Sequence, residues 1–417
     1  MSVRNKFRSD TQVSDPTRRN FLRTTAALSG MAFLGRYQSS FAAESVQLPF
    51  DHGNRPLIAY PQKRPLMVMT SRPVQLETPF ELFDKKVFTP NDAFFVRWHL
   101  ADVPTTINTK EFRLVVRGRV KNQLSLSLGD LKKNYEAVEI AAVCQCSGNS
   151  RGLFSPRVAG GEWGNGAMGN AKWKGVRLKD LLNKAGLEAD AVQVRLDGLD
   201  KPVLPQTPDF VKALDMDMAM MEDVMVAYEM NGEPLPVLNG FPLRLIVPGW
   251  YATYWVKMLH DIEVINHVDE TFWMKPAYRI PDNPCGCVEP GQKPSKTVPI
   301  NRMTVRSFIT NLKDGGSVKA GGQHEVRGIA FDGGYGIQRV LVSYNGGKEW
   351  HETKLGKDHG NYSFREWNAG FKPKQKGDYQ LMAMAFNRNG ESQRITPRWN
   401  PSGYMRNVIE TVNVKAV

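Results

Sequence analysis

The 417-residue sequence is poor in cysteine, with only four. That is too few for a disulfide scaffold in a chain of this length. It has no Cys-x-x-Cys and no Cys-x-x-Cys-His, so neither a thioredoxin-type site nor a covalent haem is expected in this chain. No apolar run is long enough to cross a bilayer, and no membrane span is predicted. No internal repeat is visible. The 26 prolines and 36 glycines follow no period, which argues against a helical bundle and for a turn-rich, β-rich body. A hydrophobic share of 41% excludes disorder, and the length predicts two domains or three.

Positive charge is in excess: 55 Lys and Arg against 42 Asp and Glu, a net +13. Part of it is local. In residues 1–42 seven cations face only Asp10 and Asp15, a net +5 that leaves +8 on the rest. The stretch Thr17-Arg18-Arg19-Asn20-Phe21-Leu22 precedes a mildly apolar segment, Ala26 to Leu34. Ser40-Phe41-Ala42 then sets small residues at a cleavage site. This is the order of a secretory signal with a twin arginine. It predicts export of a folded, cofactor-bearing protein to the periplasm, with a mature chain starting near Ala43. The alternative, a basic arm for nucleic acid or membrane, fits less well because the apolar segment lacks a sustained helical period. No nucleic-acid partner is expected.

Residues 43–80 read as Pro-rich, irregular chain wrapping the surface. Strand patterns follow at Ala93–Arg97, Phe112–Val116 and Leu124–Leu128, the last leading to a helix capped by Asp130. Glu139–Val143 reads as a buried strand, residues 152–170 as a Gly-rich loop, and Arg177–Leu182 as a helix stopped by Gly186. Val192–Leu196 and Pro242–Pro248 are further strands. Beyond a Pro/Gly-rich linker at 284–299 the pattern changes. Val305 to Val414 holds six or seven short strands separated by Gly and Asn turns, which fits an immunoglobulin-like β-sandwich. The expected organisation is a signal at 1–42, a catalytic domain at 43–299 and a sandwich at 300–417.

The cysteines form two Cys-x-Cys pairs, Cys144/Cys146 and Cys285/Cys287. Zinc is badly served by such spacing, whereas a soft thiolate suits a redox metal. Cys146 ends a strand and enters Ser147-Gly148-Asn149-Ser150-Arg151, small residues that let a bulky ligand approach. Cys144 reads better as a buried strand cysteine. The pairing of Cys285 and Cys287 stays open, since a bond within one Cys-x-Cys is strained. Gly164-Asn165-Gly166-Ala167-Met168-Gly169 fits a dinucleotide-binding pattern but lacks the strand before it and the helix after it. A glycine loop beside a metal or pterin is its better use. Arg97, His99, Arg151, Arg244 and Lys257 lie within or near apolar strand sequence. Buried cations need anions, which points to a phosphate-bearing cofactor or an oxyanion substrate.

These stretches resemble the sulfite oxidase family of molybdenum enzymes. The likeness is carried by Phe95-Val96-Arg97-Trp98-His99, Gln145-Cys146-Ser147-Gly148-Asn149-Ser150-Arg151, Ala171 to Leu178, Ala227 to Gly232 and Gly240-Phe241-Pro242-Leu243-Arg244. The resemblance implies an α+β chain: a mixed α/β molybdopterin domain followed by an immunoglobulin-like dimerisation sandwich. It implies Cys146 as the thiolate ligand of molybdenum carrying one molybdopterin. Arg97, Arg151 and Tyr278 would face the substrate, with Trp163 shaping the pocket. Phe95, Val96, Arg97, His99, Asp200, Asn239, Arg244, Trp255, Val256 and Lys257 would hold the pterin and its phosphate. The implied reaction is oxidation of sulfite to sulfate, with electrons passed to a separate c-type cytochrome. The implied assembly is a homodimer, or a heterodimer with a cytochrome subunit.

The sequence departs from the family pattern in places. Asn239 stands where many relatives have His, Ser150 replaces the first of two paired arginines, and Arg406 is a substitute candidate for a pocket arginine. No cytochrome b segment precedes the molybdenum domain. These departures fit the bacterial sulfite dehydrogenases better than the animal enzymes. Other readings are a sulfane dehydrogenase or sulfoxide reductase on the same cofactor, and a non-catalytic periplasmic anion-binding protein.

Overall fold

The computed structural model describes residues 44–417. The export signal expected at 1–42 lies outside them. The described chain is mostly β, with three short α-helices: α1 (Leu128–Asn134), α2 (Leu178–Ala185) and α3 (Met216–Ala219). It is an α+β fold, with the helices confined to the part before the C-terminal sandwich.

Two sheets carry that first part. One runs in the order Val211–Asp215, Gln193–Gly198, Leu259–Ile265, Leu114–Gly118, Leu124–Leu126, and includes one parallel pairing. The other runs Glu233–Pro234, Met225–Met230, Met168–Arg177, Val138–Gln145, with Arg244–Ile246 paired to Met225–Met230. Helix α2 buries Leu178, Leu181, Leu182 and Ala185, a single face at helical spacing. It ends at Gly186, whose φ of +71° suits glycine. Helix α1 starts one turn earlier than expected. Ser127 is its cap, accepting the Asp130 amide at 3.1 Å while the Asp130 carboxylate accepts the Ser127 amide at 2.9 Å. Asp130 is the far half of a capping box rather than the cap itself.

The described part of this stretch, residues 44–80, is not irregular. Ser45–Gln47, Asn54–Ile58, Leu66–Ser71 and Val74–Glu77 form a sheet completed by Val96–Arg97. All the prolines but Pro56, which lies mid-strand opposite Ser45, fall at strand ends and turns, where a missing N–H costs little, and so they masked short strands. The expected strand at Ala93–Arg97 is correspondingly reduced to Val96–Arg97. The carbonyls of Ala93, Phe94 and Phe95 are taken by the side chains of Thr78, Lys63 and Asn239 rather than by a strand partner. The Gly-rich loop is shorter than expected, because a strand begins at Met168.

The C-terminal part is a two-sheet sandwich. Arg306–Ile309, His324–Phe331, Arg365–Phe371 and Lys354–Leu355 form one sheet. Gly316–Val318, Thr411–Ala416, Gly377–Asn387, Ile337–Ser343 and His351–Glu352 form the other. Val326, Val340, Trp367 and Leu381 fill the space between them. A separate apolar cluster joins this sandwich to the first part, with Val143, Tyr251 and Tyr278 packed among Phe308, Phe331 and Phe364. The Val143 amide donates to the Tyr362 carbonyl at 2.8 Å, and Arg327 pairs with Asp84 at 2.7 Å. The sandwich thus braces the strand that leads to Cys146. In the linker, Cys285 and Cys287 are bonded to each other.

Candidate active site

Cys146 sits one residue past the end of Val138–Gln145 and keeps the ladder's last bond, its amide to the Ala167 carbonyl at 2.9 Å. The chain then turns tightly. The Asn149 amide donates to the Cys146 carbonyl at 3.0 Å, and Ser150 takes a left-handed φ of +69°. The following loop is held from behind by two carbonyl-type acceptors. Asn149 Oδ1 accepts the Ala167 amide at 2.9 Å. The buried Glu77 carboxylate accepts the amides of Gly164 and Gly166 at 2.9 and 2.7 Å. Burial pushes the Glu77 carboxyl up to about 7, with those two amides opposing the shift. The glycine pattern at 164–169 therefore supports the Cys146 loop and is followed by a strand, not a helix.

One cavity collects Cys146, Ser147, Phe95, Arg97, His99, Phe210, Asn239, Arg244, Ala252, Thr253, Lys257 and Tyr278. Strand alternation sorts the first element. Phe95, Arg97 and His99 face the cavity, while Val96 and Trp98 face a cluster with Leu66, Leu76 and Met258. Val96 could therefore meet a cofactor only through its main chain. His99 stacks on Phe210 with ring centroids 3.6 Å apart, and its Nε2 hydrogen-bonds the Tyr278 hydroxyl. Burial holds the His99 ring well below the usual histidine range, with Arg97, Lys257 and Lys212 adding to the shift. It is neutral. Burial raises the Tyr278 hydroxyl above its ordinary value, so it stays protonated. Tyr278 is itself in a left-handed conformation, φ +58°, and stacks on Tyr404.

The cations are enclosed. Arg244 donates to the Asn239 carbonyl and to Cys144 Sγ, each at 3.2 Å, and lies over Trp173 and Trp255. Burial lowers its pKa and raises that of the Cys144 thiol. The Lys257 ammonium lies 4.3 Å from the Trp98 ring centre, and burial lowers its pKa to about 7. Gly240 makes room for it, because at φ +109° a Cβ there would press on the Lys257 side chain at 3.0 Å. Asp200 is buried nearby, its carboxyl pushed up to about 6 by burial against the pull of Lys257.

Other expected site residues lie around this cavity rather than on it. Arg151 donates to the Ser402 and Gly161 carbonyls at 3.1 and 3.2 Å and lies over the Tyr404 ring. The Arg151 guanidinium packs over Gly148, where a Cβ would lie 2.3 Å from it and push it aside. Trp163 is buried against the same loop, its amide bonded to the Gly161 carbonyl. Trp255 donates to the Trp250 carbonyl, and Val256 is buried in the core. Arg406 pairs with Glu410 at 3.1 Å and lines a separate cavity of about 590 Å³ with Arg302, Arg394 and Arg398.

Sequence reasoning passed over Lys63, Lys212, Glu77, Ser147, Phe210 and Thr253. Lys212 is buried, donates to the Trp273 carbonyl at 2.7 Å, and lies over the rings of Tyr254 and Tyr278. A polar residue inside a strand, as in Val211-Lys212-Ala213-Leu214, was the available signal.

The cavity fits an anionic group carrying its own metal. Arg97 Nη1, His99 Nδ1, Ser147 Oγ, Arg244 Nε and Thr253 Oγ1 are buried without a hydrogen-bond partner, and all five residues line this cavity. Such orphaned polar atoms are costly unless a ligand meets them. Among the described residues no group of three or more His, Cys, Asp or Glu is placed to hold a bare metal ion. Cys146 alone can contribute a thiolate, so a metal bound there must bring further ligands with it.

Residues 99–273 match the model of an oxidoreductase molybdopterin binding domain, and residues 297–416 that of a Mo-co oxidoreductase dimerisation domain. The chain is 32% identical over 375 residues to the mitochondrial sulfite oxidase of Rattus norvegicus, covering 86% of this chain and 67% of that one. It is 30% identical over 366 residues to the sulfite oxidase of Gallus gallus, covering 84% and 78%. With the mitochondrial relatives of Macaca fascicularis and Homo sapiens the match spans 65% of their length. The crystal structure of the sulfane dehydrogenase SoxCD from Paracoccus pantotrophus superposes with a TM-score of 0.69 at 23% identity, covering 90% of this chain and 91% of that one. That last likeness is one of fold.

Proposed function

Because the chain belongs to the sulfite oxidase family of molybdenum-dependent oxidoreductases, we propose that it oxidises sulfite to sulfate. In this reading the chain is exported to the periplasm by the twin-arginine route and passes its electrons to a separate c-type cytochrome. The observation that carries the proposal is the set of unpartnered buried donors converging on the cavity of Cys146. They ask for anions: a cofactor phosphate or pterin edge, and a dianionic substrate.

Cys146 would hold the metal, with Arg244, Lys257, Asn239 and Asp200 around the pterin. When bound, the molybdenum cofactor supplies the two-electron redox change. The protein supplies the rest. Arg97, with buried lysines behind it, attracts and orients the dianion. Oxidation of sulfite by water releases two electrons and two protons, so a proton acceptor belongs near the reacting sulfur. An anion in the cavity opposes the burial and the cations that keep His99 neutral, and so would let His99, bonded to the Tyr278 hydroxyl, take up such a proton. Phe210 stacked on His99 keeps the ring in place and excludes water from that side.

The test is sulfite-dependent reduction of a c-type cytochrome by purified holoenzyme, with sulfate counted. The reading expects one sulfate for every two cytochromes reduced, as the electron balance requires. Molybdenum-loaded protein that ignores sulfite would overturn it.

A further inference from the structure

We propose that Lys63 belongs to the molybdopterin site, where it acts through Asn239 to present a fixed, polarised amide donor at the cavity wall. The inference rests on the cofactor reading above. Lys63 lies outside both segments matched by the family models, in the N-terminal sheet region. It is nonetheless buried, with 6% of its surface exposed. Its ammonium donates to the carbonyls of Asn91 and Phe94 at 2.6 and 3.0 Å and to Asn239 Oδ1. An ammonium has only donors, so it fixes which end of the Asn239 amide faces it. The oxygen turns to Lys63 and the nitrogen turns away. One N–H of that nitrogen bonds the Phe95 carbonyl at 3.0 Å. The second is left over, on a residue that lines the cavity of Cys146.

Two cations converge on this one asparagine. Lys63 binds its side-chain oxygen, and Arg244 binds its main-chain oxygen at 3.2 Å. The Lys63 bond to Oδ1 polarises the side-chain amide and strengthens its remaining N–H as a donor, while the Arg244 bond fixes the main chain that carries it. The carboxylate of Asp92 is already paired with Arg64 at 2.7 Å. Burial lowers the Lys63 pKa to about 7, with Arg244 adding to the shift. An anion in the cavity opposes both effects and favours the charged lysine. Bound cofactor and protonated Lys63 therefore stabilise each other. Lys63 and Asn239 also hold the Phe94 and Phe95 carbonyls, directly before the strand Val96–Arg97, so the same contacts fix where that strand starts.

The experiment compares wild type, Lys63→Met, Lys63→Arg and Asn239→Asp as full-length chains expressed with the cofactor. It measures molybdenum per chain, the rate of molybdenum loss on dialysis, and Tm. Lys63→Met should lose molybdenum roughly tenfold faster, the scale expected when an outer partner of a metal-site ligand is removed. Lys63→Arg, which keeps the charge, should hold it better. Asn239→Asp keeps a partner for Lys63 but replaces the N–H with a negative oxygen. It should lose molybdenum at least as fast as Lys63→Met, while its Tm without cofactor falls less, because the new ion pair with Lys63 offsets the lost bond to the Phe95 carbonyl. This separates cofactor binding from a bracing role, which would lower Tm and leave metal retention alone. Wild type without molybdenum would overturn the cofactor reading and this proposal with it. Wild type loaded with molybdenum, alongside a Lys63→Met variant that holds it equally well, would overturn the Lys63 assignment alone.

Discussion

Two sets of buried cations in this chain behave differently. In the sandwich, Arg306 is fully enclosed and its charge is met by a carboxylate, although its Nε has no partner. It pairs with Glu410 at 3.1 Å and donates to the Arg406 carbonyl and to Ser150 Oγ. Around the Cys146 cavity, Lys63, Lys212, Arg244 and Lys257 are buried with no carboxylate in hydrogen-bond reach, and Asp200 is the acid nearest to Lys257 by its effect. The first set is ordinary structure, because its charges close within the protein. The second leaves positive charge uncompensated, which a folded protein tolerates only if something else supplies the anion. The contrast separates a site from a scaffold.

The largest expected effect concerns the residue all those charges surround. Cys146→Ala should abolish sulfite-dependent turnover, while circular dichroism and Tm stay near wild type. Retained turnover would remove the thiolate from the account. Next comes a pair of substitutions that sets the two cation classes against each other. Arg306→Met should lower stability by about 3 kcal/mol, because it leaves buried partners unmet. Lys257→Met should instead raise the Tm of cofactor-free chain, since it removes a buried ammonium with no carboxylate in hydrogen-bond reach, and should speed molybdenum loss. If both variants shift Tm in the same direction, the distinction fails.

A pH titration sharpens the same comparison. Lys63, Lys212 and Lys257 have folded pKa values lowered to about 7 from about 10.5. Between these values the unfolded chain binds more protons than the folded one, so stability rises with pH. The contribution is present above the unfolded pKa and is lost as pH falls through about 7. Cofactor-free chain should therefore gain Tm from pH 7 to pH 9, and holoenzyme, with its anion in place, should gain much less. Equal slopes would contradict the assignment. The smallest effect is expected at Arg151, which is held by the Gly161 and Ser402 carbonyls and stacked on Tyr404. Arg151→Ala should lower kcat/KM for sulfite only a few-fold and leave molybdenum content unchanged, because Arg151 reaches the cavity only through Tyr404, which stacks on Tyr278; a loss as large as that of Cys146→Ala would place it on the cavity.

Much of this was legible in residue order. Arg97 and His99 within apolar strand sequence pointed to one wall of the cavity, although Val96, expected there too, faces the other way, and the small residues after Cys146 anticipated its loop. The sandwich was readable from its turns. Lys63 was not, because Gln62-Lys63-Arg64-Pro65 looks like solvated chain. Its burial depends on Asn239, 176 residues away, and no local pattern encodes that contact. The N-terminal sheet was hidden for a related reason: its strands run only three to six residues, and prolines fall between them and within Asn54–Ile58. Arg151 was misleading in the other direction. Its place beside Cys146 in sequence suggested a cavity residue, yet the turn at Ser150 carries it behind the loop to the C-terminal segment.

The central claim is that Cys146 holds the metal inside a cage of otherwise unpaired positive charge. X-ray absorption at the molybdenum edge, on wild type and on Cys146→Ser loaded with cofactor, tests it most directly. The account predicts one sulfur neighbour fewer around molybdenum in the variant. An unchanged sulfur count would contradict it.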